Sequence, residues 1–125
     1  MGLDQYAYSV DKQYVTTPVD FSLPDGVEPE EIAYWRKHPN LHGWMEKLYR
    51  SKMGSEEKFN LCRVELTEKD LLSLKEDIED ECLPETVGFF FGTSFPEEKE
   101  TDLCFVEDAL KAIKEGKAIY YTSWW

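Results

Sequence analysis

The sequence predicts an α+β fold: a single domain with a sheet of about four strands and four helices, in the order β-α-α-β-α-β-α-β. Three observations lead there. The 125 residues match the common size of one domain. An apolar content of 42% and an aromatic content of 14% suit a packed core and oppose disorder. Stretches with a two-residue hydrophobic period alternate along the chain with stretches of helical period. At this size the helices are expected largely on one side of the sheet.

The elements follow in order. Residues 3–10, LDQYAYSV, alternate, and their Tyr and Val favour a strand. One face carries Asp4, Tyr6, Tyr8 and Val10, which sets Asp4 beside a row of tyrosines. Residues 11–29 contain Pro18, Pro24, Gly26 and Pro29 without helical period and read as a long connection. Acidic residues at 28, 30 and 31 suit a helix start, which predicts a helix over 30–37. Pro39 interrupts it and opens a second helix over 39–53, where its missing N–H does no harm. The stripe Leu41, Trp44, Met45, Leu48 and Tyr49 supports this, because Ile32 and Trp35 fall out of phase with it.

Residues 59–66 predict a strand with Cys62, Val64 and Leu66 on one face. Thr67 and Asp70 form a capping-box pattern ahead of Leu71, Leu74, Ile78 and Cys82 at helical spacing. The apolar run 87–91 predicts a short buried strand, and residues 92–100 a loop. Thr101 is the expected cap of a fourth helix with the stripe Leu103, Val106, Leu110 and Ile113, stopped by Gly116. Residues 118–125, AIYYTSWW, predict a last strand, aromatic on both faces. Neighbouring positions on a strand point to opposite sides, so one of Trp124 and Trp125 is expected on the helix-free side of the sheet or at its edge.

Charge narrows the function classes. A net charge of −12 repels nucleic acid and anionic membranes. No apolar run reaches the ~20 residues of a membrane span, and the first residues lack the basic and apolar regions of an export signal. Tyr6 stands where a myristoylation motif wants Ser or Thr. Three cysteines without a CxxC pair read as reduced thiols in a cytoplasm, with Cys62 and Cys104 in core-like patterns.

The stretch YWRKHPNLHGW, residues 34–44, holds both histidines between two tryptophans. It reads first as an elbow whose arms the tryptophans anchor. Any site there would use Arg36, His38 and His42 in a cleft walled by Trp35 and Trp44, with Asp4 as a further ligand- or partner-binding candidate. A helical zinc motif would need a Glu after the first histidine, and Pro39 stands there instead. A third metal ligand would have to come from Asp4 or Glu31, so no metal site and no cofactor is expected. Ser94, Ser123 and the cysteines are available nucleophiles, with His38 or His42 as base, but no local motif marks any of them and no catalytic residue is assigned.

Four segments carry a resemblance: MGLD-x-Y-x-Y at the start, EEIAYWRK with LHGWME over 30–46, LPET-x-GFFFG over 83–92, and the final IYYTSWW. Together they resemble a family of small proteins of bacteriophages and their bacterial hosts, over nearly the whole chain. The family has no established activity, so the resemblance transfers no catalytic residues. It implies a phage-encoded or prophage-related protein working in the host's bacterial cytoplasm. The resulting expectation is a non-enzymatic protein that binds a host protein or defence component. A small ligand held near the elbow is the second reading, and a metal-dependent or acid–base enzyme using His38 and His42 the third.

Overall fold

Alternation at the start of the chain becomes the strand that organises the sheet. The computed structural model describes residues 2–88 and 92–125. Among these, β1 (Asp4–Asp11), β2 (Glu30–Arg36), β3 (Arg63–Leu66) and β4 (Lys117–Trp124) form one antiparallel sheet in the order β2-β1-β4-β3. The helices are α1 (Pro39–Ser51), α2 (Glu68–Glu79) and α3 (Glu98–Lys114), and a turn of 3-10 helix occupies Lys12–Tyr14. β1 and β4 are the central pair, in register from Asp4 opposite Trp124 to Asp11 opposite Lys117.

The α+β class and the four-stranded sheet stand, but three helices replace the expected four, and the order is β-β-α-β-α-α-β. The segment expected as a helix over 30–37 is strand β2. Ile32 and Trp35 lie three apart, which imitates helical spacing. In a regular strand they would face opposite ways. A bulge resolves this: Ala7 pairs with Ala33 and the next residue, Tyr8, with Glu31, so Ile32 is extra. Ile32 and Trp35 therefore both pack into the core, while Glu31 is returned to the Tyr8 side. The break at Pro39 is real, but it joins a strand to a helix. The strand expected at 87–91 falls mostly on Phe89–Phe91, outside the described residues; Val87 and Gly88 belong to a loop.

The strand expected over 59–66 is realised only as Arg63–Leu66, because Leu61 takes a left-handed backbone at φ +61 that extended pairing does not allow. The remaining helix signals lie close to their predicted places. Thr67 and Asp70 close both bonds of the capping box, Asp70 N–H to Thr67 Oγ1 at 3.2 Å and Thr67 N–H to Asp70 Oδ2 at 2.9 Å. Leu71, Leu74 and Ile78 are buried beneath, whereas Cys82 lies past the helix end and is exposed. Cys104 is also exposed; of the expected core thiols only Cys62 is buried. α3 begins ahead of Thr101, after Pro96, and its fully buried line is Asp102, Phe105, Val106 and Ala109. Leu103, Leu110 and Ile113 flank that line as half-buried contacts.

Two apolar clusters sit on the two sides of the sheet. Ala7, Trp35, Val64, Leu66, Ile119 and Tyr121 meet the three helices and form the main core. On the other side Val10, Ala118 and Tyr120 are covered by the connection between β1 and β2, through Phe21, Leu23 and Val27. That cover reaches only part of the sheet. Towards β2 the second face is open: Tyr34 is 46% and Trp124 62% exposed. Among the described residues no helix is long and apolar enough to cross a membrane.

Candidate functional site

The elbow is built by backbone constraint. Lys37 has φ +58, in the left-handed region, and turns the chain out of β2 while its N–H bonds to Leu3 O at 2.8 Å. His38 is the N-cap residue of α1 and Pro39 its first helical residue. The fully buried Gln5 side chain binds the His38 backbone twice, accepting from its N–H at 2.8 Å and donating to its carbonyl at 3.0 Å. The His38 side chain makes no cap bond. Ser94 Oγ does so from a distant loop, accepting the Asn40 N–H at 3.1 Å.

The His38 ring is thereby aimed between α3 and that loop. Nε2 lies 2.7 Å from Asp102 Oδ2, and Nδ1 lies 2.7 Å from Ser94 Oγ. Asp102 Oδ1 accepts the Trp35 indole N–H at 2.9 Å. His38 and Asp102 are only 2% and 1% exposed, and Ser94 is half-buried. Glu98 Oε2 stands 3.3 Å from Nδ1 and accepts the Phe95 N–H at 2.7 Å. A cleft of about 230 Å³ opens onto this cluster, walled by Ile78, Leu83 and Phe95, with Lys99 at its side.

The segment around Thr86 is docked on α1 at two points. Asn40 Oδ1 accepts the Thr86 N–H at 3.0 Å. Gly43 gives Thr86 room, since a Cβ there would lie 1.9 Å from Thr86 Oγ1.

His42 points elsewhere. It is 1% exposed, with Nδ1 2.7 Å from the Tyr121 hydroxyl, and its ring packs on Phe59. Burial pulls its pKa down to about 4, against a smaller opposing effect of a backbone hydrogen bond to Phe59, so the ring is neutral at pH 7. Burial also pushes the Tyr121 hydroxyl well above the ordinary phenol range.

The open face holds the remaining candidates. Asp4 Oδ1 accepts the Tyr34 hydroxyl at 2.7 Å and the Arg36 guanidinium at 3.4 Å. Ring contacts run across the sheet from Tyr34 to Tyr6 (5.3 Å), Tyr8 (6.0 Å), Tyr120 (5.4 Å) and Phe21 (5.2 Å). Burial raises the Tyr6 and Tyr8 hydroxyl pKa values, and the nearby carboxylates add to it: Asp4 and Glu31 at Tyr6, Glu31 at Tyr8.

The residues singled out in the sequence therefore separate into three places. Asp4 and Arg36 meet on the open face, with Trp124. Trp35 and His38 share Asp102. His42 lies in the core, and Trp44 donates its indole N–H to Asp77 at 2.8 Å on α2. The single cleft walled by both tryptophans does not form. Asp102 is the residue that sequence reading missed: its one signal is a carboxylate on the buried side of α3, hidden in a chain with 26 acidic residues. Among the described residues no group of three or more His, Cys, Asp and Glu is placed to hold a metal ion. No protein-family model, curated protein or solved structure matches the chain.

Proposed function

We propose that the chain is a binding protein that engages a basic segment of a host protein through the open face of its sheet. The observation that carries this reading is the row Tyr34, Tyr6 and Tyr8, half-exposed and set among Asp4 and Glu31. Tyrosine faces attract guanidinium and ammonium groups, and neighbouring carboxylates supply charge-assisted hydrogen bonds. The net charge of −12 favours a basic partner and opposes both phosphate backbones and a second copy of the chain. The resemblance to phage and prophage proteins supports a bacterial host as the source of the partner, met in the cytoplasm.

The test is affinity capture from bacterial lysate with the natural chain and with Tyr34→Ala and Asp4→Asn, followed by titration of an oligoarginine peptide monitored by intrinsic tryptophan fluorescence. A basic protein is expected in the natural capture and reduced in both variants. Loss of one exposed ring contact is worth about 1 kcal/mol, or roughly 5-fold in Kd. Peptide binding is also expected to weaken steeply between low and high salt. Capture and titration that ignore both substitutions would sink the proposal.

A further inference from the structure

A second site lies on the opposite side of the sheet, independent of the open face. From the hydrogen-bonded chain Asp102–His38–Ser94 at the mouth of the elbow cleft, we infer that Ser94 is an acyl-accepting nucleophile, with His38 as its base and Asp102 as the residue that positions the ring. The substrate class is a small, uncharged acyl ester.

Roles follow from donors and acceptors. A carboxylate can only accept, so Asp102 Oδ2 at 2.7 Å requires the proton of His38 to sit on Nε2. In the neutral ring that leaves the Nδ1 lone pair facing Ser94 Oγ at 2.7 Å, the arrangement a serine needs to lose its proton during attack, while Glu98 at 3.3 Å is the acceptor beside Nδ1 once it is protonated. The two ring nitrogens exchange the places they hold in chymotrypsin-like enzymes. Either nitrogen can act as base once the other is fixed, so the chemistry is unaffected. Trp35 holds the second Asp102 oxygen at 2.9 Å, and Gln5 holds the His38 backbone, so the ring is fixed from both ends. Ser94 Oγ also caps α1 by accepting the Asn40 N–H at 3.1 Å, so the structural role and the nucleophilic one are separated by reactivity and not by geometry.

Atoms and protons balance across the reaction. Ser94 Oγ forms a bond to the ester carbonyl carbon and its proton moves to His38 Nδ1. The resulting imidazolium lies between Asp102 and Glu98, the latter 3.3 Å from Nδ1. The carbon–oxygen bond to the leaving alcohol breaks, and the alcohol departs with the proton from Nδ1. Water then attacks the acyl-serine, gives its proton to Nδ1, and releases the acid as Ser94 recovers that proton. The Asn40 N–H, at the positive end of α1 and 3.1 Å from Oγ, is the donor nearest the place where negative charge develops on the tetrahedral oxygen. The space of about 230 Å³ and its Ile78, Leu83 and Phe95 walls suit a short acyl chain, while Glu81 and Glu98 turn away anionic ones.

The experiment treats the folded chain with a small alkyl fluorophosphonate and maps the adduct by peptide mass spectrometry. The expected result is one adduct, on Ser94, absent when labelling is done in urea and absent in Ser94→Ala. Asp102→Asn keeps an acceptor for Trp35 but offers an N–H to Nε2. This moves the imidazole proton to Nδ1, and labelling is expected to slow at least about 100-fold. p-Nitrophenyl butyrate is expected to give a burst of one nitrophenolate per chain. No Ser94 adduct on a chain shown to be folded by circular dichroism overturns the inference. So does labelling that survives urea, or that is equally fast in a folded Asp102→Asn. The wild-type adduct decides the matter even if the variant does not fold, and none of these outcomes bears on the open face.

Discussion

At the scale of single residues, the two histidines four positions apart illustrate how little spacing says about role. His38 is held between two carboxylates at a cleft, and His42 is sealed among rings. For His42 the sign of the pH effect is definite. Its folded pKa of about 4 lies below the ordinary value of 6.5, so the unfolded chain binds the proton more readily between those limits. Its contribution to stability is complete above pH 6.5 and is lost as the pH falls towards 4. Urea unfolding at pH 7 and pH 5 should therefore show the natural chain losing about 2 kcal/mol more than His42→Gln, which carries no titrating ring. Equal losses would mean that the ring is charged or solvated in the fold.

Between residues and fold stand the elements, and here the loop on α1 makes a prediction. A methyl group at Gly43 meets the Thr86 hydroxyl at 1.9 Å, so Gly43→Ala should push residues 83–88 away and break the Thr86–Asn40 bond. Overpacking of this kind costs about 1–3 kcal/mol. Limited proteolysis should cut the loop faster in the variant while the sheet stays intact, and unchanged cleavage would show that the loop gives way freely. The elements also show what could be read in advance. The capping box at Thr67 and the proline at the start of α1 were legible because they are local, decided within four residues. The alternation of β1 was legible because one face is aromatic and the other is buried against helices. β2 was not, because one bulged residue gave Ile32 and Trp35 helical spacing. The pairing that creates the bulge belongs to β1, more than twenty positions away in sequence. The elbow was legible at Pro39, but the site around it was not. Asp102 and Ser94 reach His38 across separations of 64 and 56 residues, and nothing near either of them marks the meeting.

On the scale of the whole molecule, charge outweighs every other influence outside the core. With 26 acidic residues against 14 basic ones, the folded chain carries its repulsion in a smaller volume than the unfolded chain. Salt should therefore raise the melting temperature over the range in which it weakens binding of a basic partner, since both follow from the same screening. A melting temperature that falls with added sodium chloride would point to ion pairs such as Lys117–Asp11 and Lys52–Asp70 outweighing the repulsion.

The pairing of β1 with β4 also has a consequence in time. β1 has its long partner in residues 117–124, so a ribosome must translate past residue 117 before the centre of the sheet can close. Until then β1 can pair only with β2. Its tyrosines and Val10 wait without the Tyr120 and Ala118 that later pack beside them. A stop codon ahead of residue 117 would remove the middle of the sheet instead of trimming its edge. The nascent chain would be left with an exposed strand edge, the kind of surface that chaperones hold and proteases clear.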